Sequence, residues 1–431
     1  MALNAPRRLA FDVLRAVEDD DAYANLELSK LTRERRVTGR DAAFAVELTA
    51  GTLRMQGAYD AVLDHLVSQP LDPAVRTVLR MGCHQLLSMR VPDHAAVTTS
   101  VSLTRSAIGH RPSGLVNAVL RKVGAKAFDA WMDVLDAPMA VRTSHPTWIV
   151  DALADALGAP AELPSLLAAD NAAPAVTLVA RPGRAERSEL PGRPLDISPY
   201  AVESDGGDPG AIPAVRERRA GVQDAGSQLV ALALASARVD DRDRYWLDLC
   251  AGPGGKAALL DALADQQGAV LVANERAPHR AALVRANGVR RVVCADGAVP
   301  AWPADAFDRV LVDAPCSGLG ALRRRPEARW RRRLEDLPGL LDLQCSLLRS
   351  AIAATRPGGV VGYATCSPVI AETVDVVGSV LADGGAALID APALVPWVDD
   401  ARSAHLPEAL QLWPHRHGTD AMFLALLRVD P

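Results

Sequence analysis

"RYWLDLCAGPGGKAALLDALAD", residues 244–265, runs from a short apolar strand through a glycine-rich turn into a helical pattern. Gly252, Gly254 and Gly255 let the backbone approach a ligand closely. The free amides at the start of the following helix favour an anionic group there. Two common nucleotide loops are excluded by spacing. Lys256 is followed by Ala257 and no glycine stands at 250, so this is not a P-loop. The order G-P-G-G also lacks the G-x-G-x-x-G spacing of a dinucleotide fingerprint.

Downstream the same alternation repeats. Strand "AVLVANE" (269–275) is followed by helix "APHRAALVRANG" (277–288), strand "RVVCAD" (291–296) and strand "FDRVLVDAP" (307–315). A long helix around 339–355, strand "GGVVGYATC" (358–366) and helix "PVIAETVDVVGSVLA" (368–382) complete it. Such alternation predicts a parallel, doubly wound sheet, which binds ligands at the carboxyl ends of its strands. Cys250, Glu275, Asp296, Asp313, Cys316, Thr365 and Cys366 all fall at or just beyond strand ends.

Upstream the pattern differs. Residues 6 to about 124 carry apolar side chains at helical spacing, punctuated by Gly and Pro, and predict five to seven helices. Between about 140 and 225, Pro and Gly are frequent, and one helix and the short strand "PAVTLVARPG" stand out. The chain therefore divides as an all-α domain over 1–139, a small α/β linker subdomain over 140–225 and a Rossmann-like α/β domain over 226–431.

Bulk composition narrows the class. The 431 residues are 49% apolar and 23% charged, with no signal-peptide pattern and no run long enough to span a bilayer. A cytoplasmic protein is expected, without membrane contact. None of the six cysteines forms a CxxC pair or lies near a histidine at ligand spacing, so no metal site is expected and the thiols should be free. Cys83, Cys294 and Cys345 read as small buried hydrophobes. The net charge of −5 argues against indiscriminate polyanion binding, although a local basic face can coexist with it. The densest basic cluster is "RRRPEARWRRR", with Arg323, Arg324, Arg325, Arg329, Arg331, Arg332 and Arg333. It begins seven residues after Cys316, a position that suits a grip on RNA phosphates; a solvated charged face is the bland alternative.

The strand-end residues carry chemistry together. Glu275 lies about twenty residues after the glycines, where a carboxylate accepts both hydroxyls of a ribose. Asp296 closes the next strand, where it could meet an adenine edge or cap a helix. A glycine loop followed by two strand-end acids is the layout of an S-adenosylmethionine pocket. If the strands ending at Asp313 and Thr365 are neighbours, Cys316 and Cys366 converge on one cleft. Cytosine C5 is not nucleophilic until a thiolate adds at C6, and a base must later remove the C5 proton so that the thiol leaves. Two cysteines and an acid at the ring edge, Asp313, could divide that work. Spacing alone leaves open which cysteine does which.

These motifs carry a resemblance. "LDLCAGPGGK", "VDAPCSGLG", "RRRPEARW", "GGVVGYATCSP" and "QLWPHRHGTDAMFLALL" resemble the motif series of the RNA cytosine-5 methyltransferases. "VQDAGSQLV" (222–230) resembles the segment leading into that catalytic domain. "RRLAFDVLRAV", "DAAFAVELTAGTLR", "VLRMGCHQLL", "VPDHAAV" and "GLVNAVLRKV" resemble a NusB-like RNA-binding domain. The fusion is characteristic of the RsmB (Fmu/Sun) small-subunit ribosomal RNA methyltransferases, and the resemblance covers essentially the whole chain.

The resemblance implies methyl transfer from S-adenosylmethionine to C5 of a cytosine in 16S ribosomal RNA, by a protein acting as a monomer. It assigns the cofactor to Cys250, Ala251, Gly252, Pro253, Gly254, Gly255 and Lys256, with Arg280 beside them. Glu275 takes the ribose, Asp296 the adenine, and Asp313 lies at the methionine end next to the target base. Cys366 maps to the nucleophile and Cys316 to the cysteine that releases the adduct. Glu275 stands where the family usually has Asp, and Ala257 where it often has Thr. "SPVIAET" after Cys366 departs from the usual acidic-plus-asparagine pair. The alternatives are action on another RNA, a non-catalytic NusB-like binding or antitermination factor, and a nicotinamide oxidoreductase. The intact acid–cysteine set disfavours the binding factor, and the glycine spacing disfavours the oxidoreductase.

Overall fold

The computed structural model describes residues 5–299 and 301–430, which fall into two compact units. One comprises the chain up to Val150 together with Leu322–Arg331; the other comprises Asp151–Ala321 and the chain from Arg332 onward. Residues 140–225, expected as one linker subdomain, do not form a body of their own. Residues 140–150 stay with the first unit, and the rest joins the second through shared apolar packing, with Val179, Ile197 and Tyr200 against the core around Leu229 and Leu260.

The first unit is helical: α1 (Ala5–Asp19), α2 (Ala24–Glu34), α3 (Gly39–Arg54), α4 (Gln56–Leu66), α5 (Pro73–Leu87), α6 (Asp93–Ala107) and α7 (Ser113–Val123), followed by shorter helices. On α1 the four-residue spacing of Leu9, Val13 and Val17 puts all three on the buried face. They join Leu48, Tyr59, Leu63, Leu79 and Leu120 in one core. α5 begins with Pro73 behind Asp72, whose carboxylate accepts from the amides of Ala74 and Val75. Gly82 allows α5 to approach α7, since a Cβ there would stand 2.5 Å from Leu120 Cδ2.

Leu322–Arg331 completes this unit, and part of the arginine run expected to grip RNA is engaged by the protein itself. Arg329 is fully buried and donates to the carbonyls of Arg54 (3.2 Å) and Ser144 (3.1 Å). Trp330 Nε1 donates to Leu53 O at 2.6 Å, and its ring fills the space that a Cβ at Gly57 would need. Arg331 donates to Val17 O and Ala22 O. The carbonyls of Leu53, Arg54 and Val17 lie in the last turns of α3 and α1, which have no partners of their own within the helix. Arg323 is also buried, whereas Arg324 and Arg332 are half-buried and only Arg325 and Arg333 are exposed. Backbone carbonyls of helix ends and of the loops beyond them take up Arg329 and Arg331.

The second unit holds two sheets. β1 (Thr177–Ala180), β2 (Gly192–Pro194), β3 (Ala201–Ser204) and β4 (Ala220–Val222) form an antiparallel sheet in the order β2-β3-β1-β4. The larger sheet contains β5 (Tyr245–Asp248), β6 (Val270–Asn274), β7 (Val292–Val293), β8 (Phe307–Asp313), β9 (Thr355–Thr365), β10 (Ala386–Ile389), β11 (Leu410–Gln411) and β12 (Phe423–Val429). Its main order is β10-β12-β9-β8-β5-β6-β7, with β11 on β12. β5 through β9 are mutually parallel, as the alternation predicts. β12 runs antiparallel to β9, and β10 and β11 antiparallel to β12, so the sheet is mixed instead of wholly parallel. β8 and β9 are direct neighbours, with Asp313 opposite Ala364. Cys83 is buried as expected, Cys345 is half-buried, and Cys294 is exposed. Among the described residues no helix is long and apolar enough to cross a membrane.

Candidate active site

The glycine loop sits between the end of β5 and the helix Gly255–Gln266. Gly254, at φ +113°, is in the left-handed region, and a Cβ there would stand 2.9 Å from Val284 Cα. A Cβ on Gly252 would stand 2.1 Å from a carboxylate oxygen of Glu275. Position 254 therefore requires glycine, whereas a side chain at 252 would have to displace the Glu275 carboxylate. Glu275, just past β6, accepts from Gly252 N (3.1 Å) with one oxygen and from Ala277 N (2.9 Å) with the other. Each oxygen keeps a second acceptor site, enough for a pair of hydroxyls. Arg280 donates to Gly252 O at 2.6 Å and lies 3.5 Å from Glu275, so it braces the loop. Asn287 donates to Pro253 O.

Other members of the loop are placed differently. Ala251 is buried, and Cys250 packs at the edge of the core. Burial, then the charge of Asp248, pushes the Cys250 thiol well above its ordinary range. Asp296, past β7, is half-buried; it accepts from Ala298 N and faces Arg276 at 3.6 Å.

At the ends of β8 and β9 the two cysteines meet, with Cys316 Sγ 3.5 Å from Cys366 Sγ. The hydrogen bond with Cys366, then burial, raises the Cys316 thiol well above its ordinary value, so Cys316 rests protonated. Asp313 accepts from Lys256 Nζ at 2.9 Å. Burial works against the lysine's charge, but Asp313, by its charge and this hydrogen bond, together with nearby Cys366, raises its pKa on balance. The glycine-loop lysine, the β8 acid and the β9 cysteine thus share one electrostatic neighbourhood.

Two buried acids escaped the reading of the sequence. Asp248 ends β5 fully buried, and neither of its oxygens has a hydrogen-bond partner among the described residues. Glu372, also fully buried, accepts four hydrogen bonds. Ser317 N (2.7 Å) and Gln344 Nε2 (3.1 Å) reach one oxygen; the hydroxyls of Ser317 (2.5 Å) and Ser367 (2.6 Å) reach the other. The sequence offered one signal for Glu372: it is the only acid in the segment that departs from the family pattern.

The site fits S-adenosylmethionine on its own geometry: a glycine-rich loop whose backbone lies open to a ligand, a carboxylate with spare acceptor sites one strand away, and a buried acid at the end of β5. Comparison with known proteins agrees. The family model "16S rRNA methyltransferase RsmB/F" matches residues 233–428, and the NusB family model matches residues 4–125. The chain is 49% identical to a Mycobacterium tuberculosis protein with the name "Putative methyltransferase Rv1407", across 99% of this chain and 97% of that one. It is 31% identical to the ribosomal RNA small subunit methyltransferase B of Vibrio vulnificus, across 87% of this chain and 90% of that one. The crystal structure of PH0851 shares the fold over 98% of both chains, with a TM-score of 0.78 at 20% identity.

Proposed function

This chain belongs to the RsmB family of S-adenosylmethionine-dependent ribosomal RNA methyltransferases, and from that premise we propose that it methylates C5 of a cytosine in 16S ribosomal RNA through a covalent adduct on Cys366. The observation that carries this reading is the pair of sulfur atoms 3.5 Å apart, beside Asp313 and Lys256. C5 and C6 are bonded neighbours, so groups acting on each must themselves be close.

Each residue then has a task. The Lys256 ammonium stabilises the Cys366 thiolate, which attacks C6. Asp313 accepts from the exocyclic amino group of the ring and so fixes its edge for the attack at C6. Bound S-adenosylmethionine supplies the electrophilic methyl group. Glu275 and the amides of the glycine loop hold and orient that cofactor. Cys316, having lost its own proton to solvent after the adduct forms, then takes the C5 proton, and the Cys366 sulfur leaves as a thiolate as the C5–C6 double bond returns.

The protonation of Cys316 supports this division. Its neighbour Cys366 is the main reason its thiol resists ionisation. Once Cys366 has become a thioether it bears no thiolate charge, which eases loss of the Cys316 proton at the step that needs a base. Of the arginine run, exposed Arg325 and Arg333 are the members proposed to reach RNA.

Bisulfite sequencing of 16S ribosomal RNA tests the reaction. A strain lacking this gene should lose protection at one cytosine and regain it on complementation. An unchanged protection map would contradict the proposal.

A further inference from the structure

The four hydrogen bonds to Glu372 join two loops that are far apart in sequence. Ser317 directly follows Cys316, and Ser367 directly follows Cys366. A single carboxylate accepts the amide and the hydroxyl of the first and the hydroxyl of the second. Gln344, from the helix Leu337–Ala354, donates to Glu372 and also to Pro315 O (2.8 Å), the carbonyl preceding Cys316. Tyr363 of β9 donates to the backbone carbonyl of Glu372 at 2.7 Å. One direct strap runs alongside: Gly320 N donates to Cys366 O at 2.8 Å.

Every side-chain partner of Glu372 is a donor, and an ionised carboxylate has about four acceptor sites. Glutamate therefore satisfies all of them and glutamine cannot, because its amide group would point hydrogens at donors. No residue of the glycine loop is among these partners.

We propose that Glu372 is a positioning residue that sets the distance between the two catalytic sulfurs by clasping the residue after each. The assignment of catalysis to those sulfurs rests on the reading above. The clasp itself does not, so the two can be tested apart.

The probe is diamide. It oxidises a close thiol pair to a disulfide while its N=N bond takes up the two protons and two electrons to become a hydrazine. In the full-length protein, the Cys316–Cys366 disulfide is followed by mass spectrometry of the linking peptides. Alkylation of exposed Cys294 serves as the internal control. Glu372→Gln should slow formation of this disulfide roughly tenfold or more, since two of four buried hydrogen bonds to a charged group are lost. Ser367→Ala, which removes one donor, should act in the same direction by a smaller factor. Cys294 alkylation and S-adenosylmethionine affinity should stay as in the wild type. With Cys316→Ala as the background, so that the adduct stalls, adding Glu372→Gln or Ser367→Ala should lower covalent trapping of RNA.

Disulfide formation within twofold of wild type in both variants would overturn the clasp. Should Glu372→Gln fail to fold, Ser367→Ala decides by the same criterion. Slowed disulfide formation together with no RNA trapping by the Cys316→Ala protein would leave the clasp standing and overturn the catalytic reading instead.

Discussion

At Asp248 a carboxyl group closes β5 with no hydrogen-bond partner among the described residues. Burial, then the charge of Asp313, pushes its pKa up to about 8. In the unfolded chain an aspartate is ionised above about pH 4. The folded protein therefore holds a proton that the unfolded chain has lost, and stability falls as pH rises between those values. The slope from this one group is about 1.4 kcal/mol per pH unit. Asp248→Asn removes that titration. Without cofactor, the variant's stability relative to wild type should therefore rise steadily from pH 5 to pH 8, which denaturant unfolding at several pH values measures. Parallel curves would contradict the assignment. The sequence displays both Asp248 and Glu372, yet neither stood out as functional. An acid inside "WLDLC" reads as part of a strand, and how deeply it is buried depends on neighbours that the local pattern does not encode. The cysteines were legible for the opposite reason: proline, glycine and serine after an apolar run mark a strand end, and strand ends are where this fold keeps its ligands.

The segment Leu322–Arg331 shows how composition misleads at the level of an element. Seven arginines in eleven residues suggest a surface, but Arg329 is fully buried and its guanidinium is spent on the carbonyls of Arg54 and Ser144. Helix termini create that demand, and their locations follow from packing in a distant part of the chain. Arg329→Ala should lower stability by about 2–4 kcal/mol, because it leaves two buried carbonyls unpaired and a cavity behind. The salt dependence of RNA binding should not change. Thermal unfolding and a salt titration of RNA affinity check both halves. Unaltered stability with a shallower salt slope would return this arginine to the phosphate-binding role.

Over the whole molecule, the helical first half and the parallel core of the second half were written in their periodicities. Apolar spacing of 3.6 builds α1 to α7, and short apolar runs between helices build β5, β6, β8 and β9. The antiparallel edge was not legible. β12 pairs with β9 from nearly sixty residues away, and an apolar run such as "MFLALL" does not state its direction. Residues 151–225 group with the larger domain because the short sheet β1–β4 rests on its core, and linker composition does not reveal where a sheet's other face is buried.

The central claim is that Cys366 forms the adduct with cytosine and Cys316 releases it. The direct measurement is a denaturing gel of labelled RNA incubated with S-adenosylmethionine and each variant. Cys316→Ala should attack, transfer the methyl group and stall as a shifted covalent complex, because nothing removes the C5 proton. Cys366→Ala should give no shifted band and no methylation. A shifted band with Cys366→Ala and none with Cys316→Ala would show that the roles are reversed.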